Sequence, residues 1–158
     1  MKPIAKWEKT LDERLPLLGR RNWIVVADAA FPAHSSTGIE TIVSGLSQKA
    51  TVEKMLARLR ACKHVRPAVH VDLELTLVSE KDAPGIDSYR NWLKGALKGL
   101  RVTLAPHEEI LSMLERAARM FSILIVKSTM TIPYTSVFIE LECGYWDADA
   151  EARLRAKT

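Results

Sequence analysis

Nowhere in the 158 residues does an apolar stretch approach the ~20 that a bilayer crossing requires. The opening MKPIAKWEKTLDERLPLL carries charges every few residues, so the sequence predicts neither export nor membrane insertion. Cysteine is scarce: Cys62 and Cys143 lie far apart, with no second thiol or histidine at metal-ligand spacing. Free buried thiols in a reducing, cytoplasmic compartment are therefore expected, and no disulfide framework or metal site. The seven glycines are too dispersed to cradle a phosphate. Gly-x-Gly-x-x-Gly, the Walker loop, His-Glu-x-x-His and Cys-x-x-Cys are all missing, which leaves nucleotide, zinc and haem cofactors without support. A concentrated basic patch is missing too. The 23 Lys and Arg are interleaved with 19 acids, giving a net charge of only +4, and the spacing in EKMLARLRACKHVRP suits the wet face of a helix, so no nucleic-acid partner is expected.

What remains is a chain of ordinary globular composition, 47% hydrophobic and 27% charged, long enough to bury a core as a single domain over residues 1–158. Trp7, Leu11, Leu15 and Leu18 recur at helical spacing between Ile4 and Leu18, and Gly19 closes that segment. WIVVA (23–27) is short, β-branched and apolar throughout, as a strand buried on both faces should be. Thr51 is expected to cap a helix running to about Cys62, with Val52, Met55, Leu56 and Leu59 on one side. VHVDLELTLV (69–78) alternates strictly, predicting a strand with His70, Asp72, Glu74 and Thr76 on a wet or partner-facing side. Further helices are expected from Ser88 to Gly99 and after Pro106, a terminal one in DADAEARLRAKT, and further strands at RVTLA, FSILIV and SVFIELE. Strands alternating with helices predict a three-layer α/β/α sandwich with a mixed, mostly parallel sheet.

In such sheets ligands gather beyond the carboxyl ends of the strands. The apolar run of NWIVVADAAFPAHSS stops at Asp28, a carboxylate that either closes a turn or holds a ligand. His107 opens a helix after another strand, and Tyr134 and Ser136 lie in a loop before the last one, so several polar groups are positioned to converge. Taken singly each has a structural explanation. His64, in a basic loop, and His70, on a polar strand face, are weaker candidates.

The segments LPLLG and IVVADAAFPAHS, then PHEEI, then ILIVKSTMTIPYTSVFIEL resemble, in that order, the ribose pyranase and fucose mutarotase family. That resemblance implies a cofactor-free enzyme that interconverts ring forms of a reducing monosaccharide, in an α/β/α subunit that forms homo-oligomers with sites near subunit boundaries. It implies sugar contacts from Asp28, Lys127, Tyr134 and Ser136, and from His107. The family's Gly-His-x-Asp, whose histidine transfers protons, is here Gly19-Arg20-Arg21-Asn22. Arginine stays protonated and cannot act as a general base, so Arg20 is expected only to orient a hydroxyl or stabilise an oxyanion. The family's Thr-Gly-Glu is Ser128-Thr129-Met130, its asparagine is Ser136, and the stretch after His107 is about one helical turn longer. His107 is then the first candidate for proton transfer and His34 the second. A sugar-binding protein without catalysis is the alternative expectation, and a ligand-free assembly module a weaker one.

Overall fold

Residues 3–158 are described in a computed structural model. In chain order they form α1 (Lys6–Arg14), a 3-10 turn at Leu15–Leu17, β1 (Trp23–Ala27), β2 (Ile39–Val43), α2 (Gln48–Ala61) and β3 (Val65–Asp72). A second 3-10 turn at Leu73–Thr76 leads to α3 (Ile86–Ala96), β4 (Arg101–Ala105), α4 (His107–Ala118), β5 (Ile123–Lys127), β6 (Val137–Cys143) and α5 (Ala148–Arg155).

The six strands make one sheet in the order β2-β5-β1-β6-β3-β4. β1 runs parallel to β5 and β5 to β2, β3 runs parallel to β4, and β6 is antiparallel to both its neighbours, β1 and β3. Five strands therefore point one way and β6 alone points back. The sheet is mixed and mostly parallel, as the sequence predicts, and the reversal follows from the short link between β5 and β6.

β1 has no alternation because both its faces are covered. Ile24 and Val26 pack with Trp7 and Leu11 of α1, Met55 and Leu59 of α2, and Tyr89 and Leu93 of α3. Trp23, Val25 and Ala27 face the opposite layer, where Ile110 and Leu114 of α4 meet Ile123, Ile125 and Phe138. β4 is an edge strand, and Val102 and Leu104 on it stay largely exposed. No residue of α5 is buried.

Four local expectations are corrected. Thr51 is not the cap of α2: the side chain of Ser47 accepts the amide of Ala50, and buried Thr51 sits one turn inside, its hydroxyl donating to the Ser47 carbonyl. The strand read as 69–78 runs from Val65 to Asp72, because the chain coils at Leu73, burying Leu75 while Leu77 turns to solvent. His70 and Asp72 consequently lie on a covered face rather than a wet one: His70 stacks on Trp23, and Asp72 is fully buried. Cys62 and Cys143 are only half-buried. β2, which the sequence reading passes over, is largely unburied along its length, so it lacks the apolar signature that identifies β1.

Candidate active site

Because five strands are parallel, the carboxyl ends of β1, β3, β4 and β5 share one edge of the sheet with the amino end of β6. Asp28 follows β1, Asp72 ends β3, His107 begins α4 just past β4, and Ser136 enters β6 between the first two. With β6 interposed, the β1 and β3 backbones are about 10 Å apart, two strand spacings.

His107 is tied down twice. Its backbone N–H donates to both carboxylate oxygens of Glu74, at 3.1 and 2.9 Å, which satisfies one of the unpaired amides at the start of α4. The coil after β3 delivers Glu74 to that position. Its Nδ1 lies 3.0 Å from Oδ1 of Asp72, which is fully buried, while His107 itself is 26% exposed. The ring meets Tyr134 edge-on at a centroid distance of 5.7 Å and Phe138 at 6.2 Å. Its bond to Asp72 raises the His107 pKa above the ordinary histidine value; partial burial opposes the shift, and the charges of Glu108 and Glu74 reinforce it. Burial pushes the Asp72 carboxyl up, against the pull of His107, and the nearby charges of Glu74 and Asp28 add to the rise. Both shifts favour the protonated forms of the pair.

Tyr134 has φ of +61°, a region that bulky side chains rarely enter. The loop around it is fixed from several sides. Thr135 donates its hydroxyl to the Ile132 carbonyl, and the Thr135 carbonyl accepts from Tyr89 Oη at 2.6 Å and from Gln48 Nε2 at 2.9 Å. Gln48, buried in α2, also donates to the Val26 carbonyl and accepts from Ser128 Oγ at 2.6 Å. Ala29 donates its N–H to the Met130 carbonyl, joining this loop to the one after β1. The result is an exposed aromatic ring on an immobilised backbone.

Asp28 is both a turn residue and more. Its carbonyl accepts the Phe31 amide, while its Oδ1 accepts the Ser136 hydroxyl at 2.6 Å and its own N–H donates to that hydroxyl oxygen at 3.0 Å.

No protein-family model matches this chain, and no curated protein does. Solved structures do. RbsD of Bacillus subtilis complexed with D-ribose is 20% identical with a TM-score of 0.60, over 90% of this chain and 98% of that one. The fucose mutarotase of Streptococcus pneumoniae in complex with L-fucose is 21% identical with a TM-score of 0.58, again over 90% and 98%. FucU from Bifidobacterium longum is 14% identical with a TM-score of 0.55, over 85% and 94%. The chain has the ribose pyranase and fucose mutarotase fold. At these identities the likeness is one of architecture.

Within this fold Asp28, His107, Tyr134 and Ser136 fall on one edge. Lys127 ends β5 beside Ala27, at the same edge, and has no ion pair among the described residues. Arg20 precedes β1 and therefore lies at the opposite end of that strand from Asp28, in a depression with His64, Cys143, Tyr145, Trp146 and Glu151. One chain cannot bring Arg20 and Asp28 to a single small ligand. His34 rests against Phe31 and borders a crevice with Ile39, Leu111 and Leu114; among the described residues neither a hydrogen bond nor a ring contact links it to His107 or Tyr134. His64 holds the Leu15 and Leu18 carbonyls through Nε2, a structural role. Among the described residues no group of three or more His, Cys, Asp or Glu side chains is placed to hold a metal ion.

Asp72 is the site residue that the sequence reading missed. The alternation of VHVD assigned it to a wet strand face, and the pairing with His107 spans 35 positions. No local signal marked it: within a strand expected to run to residue 78 Asp72 is an interior position, and only the coil at Leu73 makes it a second acid at a strand end, as Asp28 is.

Proposed function

We propose that this protein binds a reducing monosaccharide and interconverts its ring or anomeric forms, without a cofactor. The observation that carries the proposal is one sheet edge on which His107, bonded to Asp72 at 3.0 Å, meets Tyr134, two residues before the Ser136 that holds Asp28. Solved proteins of the same fold in complex with D-ribose and L-fucose support the choice of ligand class.

The chemistry needs one proton removed from the anomeric hydroxyl and one delivered to the ring oxygen, so that the C–O bond opens to the aldehyde. Closure on the other carbonyl face, or through another hydroxyl, reverses both transfers and gives the isomer. His107 exchanges the proton through Nε2, Asp28 accepts sugar hydroxyls with the carboxylate oxygen that Ser136 leaves free, and Tyr134 supplies a ring face and a hydroxyl. Lys127 completes the polar wall, while Ser136, itself buried, holds the Asp28 carboxylate in place. Arg20, at the far end of β1, takes no part in proton transfer within one chain, nor does His34, which belongs to the crevice beneath α4.

A homo-oligomer is part of the proposal. Val43, Tyr145 and Trp146 are 65%, 78% and 43% exposed, apolar and aromatic surface that a second subunit would cover. No helix among the described residues is long and apolar enough to cross a membrane, which accords with a cytoplasmic enzyme acting on free sugars.

The test is exchange NMR on the anomeric protons of ribose, fucose and a panel of other aldoses. Accelerated exchange for one of them supports the isomerase. Ligand-induced shifts at Asp28 and Tyr134 without acceleration for any sugar would make this a sugar-binding protein instead.

A further inference from the structure

We infer that Asp72 is the positioning residue of His107: its carboxylate receives the Nδ1 proton and leaves Nε2 as the atom that trades protons with a substrate. The inference rests on the proposed isomerase function and names the group that makes His107 fit for it.

Two acids reach His107, and they do different things. Glu74 takes the backbone N–H with both its oxygens, so the start of α4 is served without Asp72. Asp72 takes only the side chain, through Oδ1 at 3.0 Å. Its Oδ2 is buried with no hydrogen-bond partner, and the residue is fully excluded from solvent. A carboxylate in that condition is poor material for stability: desolvation opposes it, and an apolar residue of similar size would generally pack as well or better. Its one strong interaction is the bond to an imidazole that remains 26% exposed.

That bond selects a tautomer. An ionised carboxylate only accepts, so Nδ1 must carry the proton, and in neutral His107 the lone pair lies on Nε2. Among the described residues Nε2 has no hydrogen-bond partner, whereas Tyr134 and Phe138 hold the ring edge-on. The charged and titratable groups around the imidazole are Asp72 from β3, Glu74 from the coil that follows, Glu108 from α4 itself and Tyr134 from the loop before β6, with Asp28 acting on Asp72 from β1. The carboxylates among them favour the imidazolium, but only Asp72 bonds the ring.

The experiment is imidazole 15N NMR across pH on sugar-free wild type, Asp72→Asn and Asp72→Ala. Wild-type His107 is expected to titrate above free histidine and, when neutral, to carry its proton on Nδ1. Asp72→Asn keeps the shape and an accepting oxygen but loses the charge, so the midpoint should fall toward that of free histidine while the tautomer persists. Asp72→Ala should lose both. His34, His64 and His70 serve as internal controls: unchanged shifts there show that the fold is intact. A His107 midpoint and tautomer that stay the same in both variants would overturn the assignment. Since no sugar is present, this outcome is independent of turnover: a wild type that accelerates no sugar defeats the proposed function alone.

Discussion

The hydroxyl of Ser136 donates to Oδ1 of Asp28 at 2.6 Å and accepts that residue's own N–H at 3.0 Å, locking the end of β1 to the start of β6. The same contact leaves one carboxylate oxygen of Asp28 free and fixes its direction. Ser136→Ala is expected to cost about 1 kcal/mol of stability in denaturant unfolding, and to weaken sugar binding well beyond that. Equal losses in both measurements would mean that Ser136 serves the fold only.

Tyr134 offers the opposite separation. Its φ of +61° stores strain that glycine does not feel, on the order of 1 kcal/mol. Tyr134→Gly should therefore leave the denaturation midpoint unchanged or raised while sugar affinity falls. A large loss of stability would show that the ring, rather than the immobilised loop, holds this segment.

Gln48 reaches that loop from beneath. Its side chain bonds the Val26 and Thr135 carbonyls and the Ser128 hydroxyl, and it is buried. Gln48→Leu removes all three and strands polar groups in the core, a cost of roughly 2 kcal/mol. Hydrogen exchange should show the 128–135 loop opening more readily than β1. Uniform loss of protection across the sheet would contradict this local role.

The pH dependence follows from the pair at the edge. His107 has a raised pKa in the folded protein, chiefly through Asp72, so its contribution to stability is fully present below the unfolded histidine value of ~6.5 and fades as pH rises through the folded value. The burial-raised carboxyl of Asp72 acts in the same sense, from its ordinary range near pH ~4 upward. Removing His107 leaves a buried carboxyl unpaired, at a cost of about 3 kcal/mol near neutrality. The stability gap between wild type and His107→Ala should narrow as pH rises above neutral in denaturant titrations. A gap that widens would place the proton elsewhere.

Much of this arrangement is legible in the sequence because burial leaves patterns. WIVVA marks a strand covered on both faces, Asp28 marks its end, and His107 after Pro106 marks the start of a helix. What escapes are features decided by tertiary contact. β2 has no apolar face to show, the VHVD alternation misleads because Trp23 covers what looked like a wet side, and the Asp72 to His107 bond has no local signature. Arg20 shows a further limit: it follows the helix that precedes β1 and so looks close to Asp28 in sequence, yet the extended strand carries the two to opposite ends.

The most direct measurement is the rate of anomeric exchange for the best sugar of the panel, compared between wild type and His107→Ala at equal folded fraction. The account predicts that wild type accelerates exchange and that the variant loses on the order of 10²-fold or more of that acceleration, the usual weight of a positioned acid and base. Acceleration retained in full by His107→Ala would contradict it.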